Sequence, residues 1–71
     1  MAFSYDKLWK LLIDKKMNKV ALRDAIGISP TTLSKLSRDQ YVSMEVLGKI
    51  CEKLNCDISD IVEYKRDLED K

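Results

Sequence analysis

The four residues Gly27-Ile28-Ser29-Pro30 limit the fold more than any other stretch of this 71-residue chain. Upstream, Ala25 and Ile26 lie three and four residues beyond Leu22, the spacing of one helical face. Gly27 then offers the left-handed conformation that ends a helix and turns the chain. Ser29 can accept a hydrogen bond from the unpaired amides of a new helix, and Pro30 has the fixed dihedral favoured at a first helical position. Proline also pushes Ser29 out of the helical region, as a capping residue requires. A stop and a start separated only by Ile28 and Ser29 predict two helices meeting at a tight corner, a helix-turn-helix over Asn18 to Arg38.

The second of these helices, about residues 30–38, divides by face. Leu33 and Leu36, with Ile28 in the turn, form the inward side, while Thr31, Thr32, Ser34, Lys35 and Arg38 fall mainly on the outer side. Short hydroxyls and long cations in the first turns of such a helix can bond base edges in a major groove, and its N-terminal amides favour phosphate. The same side chains also suit an ordinary solvated face, and Lys35 is equally consistent with a surface lysine or a contact to base or phosphate.

Charge separates along the chain. The net charge is only +1, yet residues 15–38 carry six cations (Lys15, Lys16, Lys19, Arg23, Lys35, Arg38) against Asp24 alone, a local +5. From Asp39 onward nine acids face five cations, a local −4, and the first fourteen residues balance. A basic end coinciding with the helix-turn-helix is the electrostatic footprint of a polyanion site.

Size and composition set the frame. The chain predicts one small domain over residues 1–66 and a frayed, charged tail over residues 67–71, with 45% hydrophobic and 35% charged residues placing it among folded, soluble chains. The longest apolar run, Leu11-Leu12-Ile13, is far short of a membrane span, and Asp6, Lys7 and Lys10 interrupt any leader-like start, so a cytoplasmic protein is expected. Without histidine, and with Cys51 and Cys56 at a spacing that suits neither a zinc knuckle nor a secreted staple, neither metal nor cofactor is expected; both thiols are read as reduced, Cys51 as packing. No paired carboxylates, and no nucleophile beside a base, point to an enzyme.

In order, the remaining elements are a first helix from about Tyr5 to Lys16, capped by Ser4 and buried through Tyr5, Leu8, Leu11 and Leu12, with Trp9 and Ile13 widening the apolar arc as packing residues. Asn18 caps the second helix, Lys19 to about Ile26. After a loop over 39–42, Ser43 caps a fourth helix with Met44, Leu47, Ile50, Cys51 and Leu54 inward. Asp57 caps a short fifth helix carrying Ile58, Ile61 and Val62. No window alternates long enough to suggest a strand, so the expected architecture is all-α with five helices.

These segments, KLWKLLIDKKMNK, LRDAIGISPTTLSKL and VSMEVLGKICEKLNCDISDIVEY, resemble the Cro/CI-type helix-turn-helix family, the phage-repressor-like domains also called the XRE family, over about Tyr5 to Tyr64. The resemblance implies a bacterial or phage-type transcriptional regulator, expected to be a repressor, with the helix at Pro30 as recognition helix. By position, Ser29, Pro30, Thr31, Thr32 and Lys35 would face bases, and Asn18, Lys19, Ser34, Arg38, Gln40, Tyr41 and Ser43 would meet phosphate. Gly27 matches the turn glycine. Pro30, lacking an amide donor and a polar tip, could offer only an apolar contact, for example to a thymine methyl. Arg23 departs from the pattern: a small residue is usual four positions before the glycine, so Arg23 must snorkel outward or widen the helix crossing.

Double-stranded DNA is the implied partner, with a homodimer formed through Phe3, Tyr5, Trp9, Tyr64 and Leu68. Alternatives are an antitoxin-like or mobile-element regulator with a protein partner, and a helical interaction module that does not bind DNA.

Overall fold

The computed structural model describes residues 2–66; the tail expected at 67–71 lies outside them. Four α-helices form: α1 (Asp6–Asp14), α2 (Lys19–Ile26), α3 (Pro30–Ser37) and α4 (Met44–Leu54). The expected fifth helix is one 3-10 turn, Ile58–Asp60, closed by a capping box in which the Asp57 amide donates to Asp60 at 2.9 Å. Two short strands, β1 (Ala2–Ser4) and β2 (Glu63–Lys65), pair antiparallel with Phe3 opposite Tyr64. The all-α, five-helix expectation is therefore corrected to a mostly helical fold with a two-stranded clasp. Three residues are too few to display alternation, and it is their distant partners that make them strands. The pairing is supported by an edge-to-face contact between Phe3 and Tyr64, centroids 5.3 Å apart.

Four expected caps hold as drawn, among them Asp57, whose side chain accepts from the Ile58 amide at 2.9 Å. The Asn18 side chain accepts from the Ala21 amide at 2.7 Å, Ser29 from Thr32 at 3.1 Å and Ser43 from Val46 at 3.2 Å. The fifth is displaced. Ser4 belongs to β1 and is buried, accepting from the Asp6 amide at 3.2 Å, while Tyr5 occupies the cap position of α1.

All four helices end on a left-handed residue: Lys16 (φ 56°), Gly27 (φ 73°), Asp39 (φ 59°) and Asn55 (φ 55°). In each case the next amide folds back to the carbonyl five residues earlier, as from Met17 to Leu12 (2.9 Å), Ile28 to Arg23 (3.3 Å), Gln40 to Lys35 (2.9 Å) and Cys56 to Cys51 (3.0 Å). Met17, Ile28 and Cys56 then pack against the core, so the reversals also bury apolar surface.

That core comprises Tyr5, Leu8, Leu12, Leu22, Leu36, Leu47, Ile50, Leu54 and Ile61. It sits where α2 packs on α3 and α4, with the 3-10 turn against α1 and α4. Lys7 reinforces the latter junction by donating to the Ser59 carbonyl at 2.8 Å. Two expected inward residues point outward instead: Ile13 is 73% and Met44 70% exposed. Both sit at the edge of an apolar stripe in a helix too short to be covered on every flank.

Candidate nucleic-acid interface

The turn that joins α2 to α3 is built from two carbonyl-directed amides and one cap. Gly27 and Ile28 both donate to the Arg23 carbonyl, at 2.9 and 3.3 Å, and Ser29 then opens α3. Nothing crowds the position a Cβ would take at Gly27 to within 4 Å, so glycine is favoured there by the positive φ and not by lack of space. Leu36 and Leu22 are fully buried beneath this corner, and Leu33 is half-buried, which fixes the roll of α3 and turns its other side outward.

That outward side is contiguous. Pro30, Thr31, Ser34, Lys35, Arg38 and Gln40 line one open hollow along α3 and the residues that follow it. Lys35, Arg38 and Gln40 are exposed, whereas Ser34 is half-buried. Ser29 and Thr32 differ from their neighbours in being engaged with each other: their hydroxyl oxygens are 3.1 Å apart and the Thr32 amide donates to Ser29. A base contact from either must share a hydroxyl already used in the cap.

Of the residues expected on the phosphate side, Ser34, Arg38 and Gln40 line this hollow with the base-side residues, and the others lie outside it. Asn18 uses its carbonyl oxygen to cap α2, leaving its amide donors available. Lys19 is exposed; its Nζ donates to Ser37 Oγ at 3.3 Å and lies 4.2 Å from the ring centroid of Trp9. Ser43 caps α4 through its oxygen, and Tyr41, 73% exposed, sets its ring edge-on to Phe3 at 5.9 Å.

Arg23 is half-buried and bends back along its own helix. Its Nε and Nη2 donate to Asp24 Oδ1 at 3.2 and 3.1 Å, the snorkelling arrangement rather than a wedge between helices. The pair also offsets one positive charge of the basic segment with the only acid in it. Lys19, Lys35 and Arg38 remain as exposed cations around α3.

Sequence reasoning missed two supports of this surface. One is the Trp9 face beneath Lys19; a helical stripe shows that Trp9 is partly inward but not which residue of the next helix crosses it. The other is Asp39, which accepts the Tyr5 amide at 3.1 Å, while the Tyr5 hydroxyl donates to the Gln40 carbonyl at 2.8 Å. Burial first, then the nearby Asp39 carboxylate, push the Tyr5 phenol above its ordinary range. Tyr5 is thus a core residue, and Trp9 is half-buried under Lys19; of the other expected face residues, Phe3 and Tyr64 are exposed and Leu68 lies outside the described residues.

Cys51 and Cys56 are free and half-buried. Burial and the adjacent Cys51 raise the Cys56 thiol, which disfavours the reactive thiolate. Among the described residues no cluster of His, Cys, Asp and Glu stands close enough to hold a metal ion, and no helix is long and apolar enough to cross a membrane.

Comparison with known proteins identifies the fold. The structure is similar to the crystal structure of the transcriptional regulator VanUg, form II, with a TM-score of 0.86 and 55% sequence identity over 87% of this chain and 83% of that one. No curated protein matches the sequence. A family model described as the Cro/C1-type HTH DNA-binding domain matches residues 7–67. With the corner, its glycine and helices α2 to α4 inside that match, the chain belongs to the Cro/C1-type helix-turn-helix DNA-binding domain family.

Proposed function

We propose that this protein is a sequence-specific transcriptional regulator, acting as a repressor, that reads the major groove of double-stranded DNA with α3. The observation that carries the reading is the open outward side of α3, where Pro30, Thr31, Lys35 and Arg38 are exposed beside the half-buried Ser34 on a corner held by Gly27. Thr31 and Lys35 reach base edges, with Ser29 and Thr32 at the rim and Pro30 giving apolar contact. Asn18, Lys19, Ser34, Arg38, Gln40, Tyr41 and Ser43 meet phosphates on either side. Each phosphate neutralised by a cation adds about 0.9 to the salt slope of binding, so affinity is mostly electrostatic and choice of site rests with α3.

One recognition helix spans few base pairs, which favours two copies on half-sites about one helical turn apart. A specific observation supports a second copy as partner. Phe3, Tyr41 and Met44, with Tyr5, Val42, Leu47, Ile58 and Val62, line a half-open apolar hollow of about 360 Å³ beside the loop that follows α3.

Selection of bound duplexes from a random pool tests the whole reading. The expected result is an enriched motif with two related half-sites. Recovery of no motif, with binding that stays indifferent to sequence, would reject α3 as a reader of bases.

A further inference from the structure

Lys19 occupies the most constrained position of the cations around α3. Its Nζ lies 4.2 Å from the centroid of the Trp9 ring and donates to Ser37 Oγ at 3.3 Å. Trp9 comes from α1, Lys19 begins α2 and Ser37 ends α3, so three helices together define where this ammonium sits. By contrast, the side chains of Lys35 and Arg38 make no hydrogen bond or ion pair among the described residues.

A free lysine loses rotamer freedom when it grips a phosphate, and that loss weakens the contact. An aromatic face beneath the ammonium holds it by attraction to the ring quadrupole without consuming an N–H. Ser37 takes one of the three donors, and two remain for phosphate oxygens. The ring itself is anchored: Trp9 is half-buried and packs against the core.

We propose that Trp9 is a positioning residue for DNA binding, its indole face pre-setting the Lys19 ammonium for one backbone phosphate, with the stack persisting in the complex. The inference rests on the reading of Lys19 as a phosphate contact. It assigns α1, which contributes no other residue to the interface, a part in affinity through its one tryptophan.

Because the chain has a single tryptophan, biosynthetic incorporation of fluorotryptophans changes this ring alone, draining the negative face while nearly preserving its shape. Affinity for a random-sequence duplex is measured at several salt concentrations, for the wild type and for Lys19→Met, each carrying tryptophan or mono-, di- or trifluorotryptophan. Thermal unfolding of every sample confirms that the fold is retained. Wild-type affinity is expected to fall stepwise with fluorination, by about two- to fivefold in all. Lys19→Met is expected to bind more weakly, to lose about 0.9 from the salt slope and to be indifferent to fluorination.

If Lys19→Met keeps the full affinity and slope, the phosphate reading of Lys19 fails and this inference falls with it. If Lys19→Met binds more weakly but fluorination leaves the wild type unchanged, tightens it, or weakens both proteins equally, the positioning role of Trp9 is overturned while the reading of Lys19 stands.

Discussion

The backbone amide of Tyr5 donates to Oδ1 of Asp39 at 3.1 Å, so the residue that reverses the chain after α3 also caps the start of α1. A left-handed conformation disfavours most L-residues, and Asp39 adopts it while supplying the acceptor for the Tyr5 amide, beside the one that Ser4 supplies to Asp6. Asp39→Ala is expected to lower stability by about 1 to 2 kcal/mol, a cap-sized loss, whereas Asp39→Asn, which keeps an acceptor and tolerates φ near 60°, should lose clearly less. Urea unfolding compares the two; equal losses would remove the hydrogen bond from the explanation.

Tyr5 predicts a pH dependence. Burial, chiefly, and the Asp39 carboxylate raise its phenol above the ordinary value of 10.0, so the folded state prefers the protonated ring. The stability this provides is complete below about pH 10 and is lost as pH rises through the higher folded value. Tyr5→Phe removes the hydrogen bond to the Gln40 carbonyl and should cost about 1 kcal/mol at neutral pH. Its stability should also fall less steeply than the wild type's between pH 10 and 12. Parallel alkaline curves would show that another group controls the decline.

At Gly27 the expected cost is purely conformational. With φ at 73° and open space around a built Cβ, Gly27→Ala should lose about 1 kcal/mol, and Gly27→Asn less. A loss several times larger in thermal unfolding would mean that the corner is sterically closed in solution.

For Lys35 the two contact types separate by competitor. Lys35→Ala should weaken binding to a selected site by about 1 to 3 kcal/mol if the ammonium reads a base, and should weaken cognate and scrambled duplexes alike if it touches phosphate. Unchanged affinity for both sequences would take Lys35 out of the interface.

The apolar hollow makes a prediction about mass. Sedimentation equilibrium should show a concentration-dependent dimer, and Met44→Glu, at a position 70% exposed in the monomer, should shift it toward monomer without loss of fold stability. A monomeric mass at millimolar concentration, for wild type and variant alike, would reject this face.

The parts of the fold legible in the sequence are those governed by neighbours. Gly27, Ser29 and Pro30 announce the corner, Asn18 and Ser43 announce two helix starts, and α2 spans the residues its spacing indicated. What was illegible depends on residues far apart. The clasp needs Ala2–Ser4 to meet Glu63–Lys65, and nothing local in either tripeptide declares a partner. Tyr5 looks like the first apolar residue of a helix until Asp39 and Gln40 arrive beside it. The left-handed turns at Lys16 and Asp39 break the preference for glycine, so composition hides them. Charge counting found the basic segment, but only the coordinates reveal Arg23 folded onto Asp24 and Lys19 stacked on Trp9.

The pairing of Ala2 with Lys65 has a kinetic consequence. It encloses every helix in a single loop, and the entropy of closing a loop grows with its length, while each helical turn and the corner at Gly27 join residues only a few positions apart. Folding order follows from that difference: the corner condenses early from nearby contacts, and the strands zip up once the helices between them have shortened the distance. The clasp is therefore expected to open first, and hydrogen exchange should find the amides of β1 and β2 less protected than those of α3.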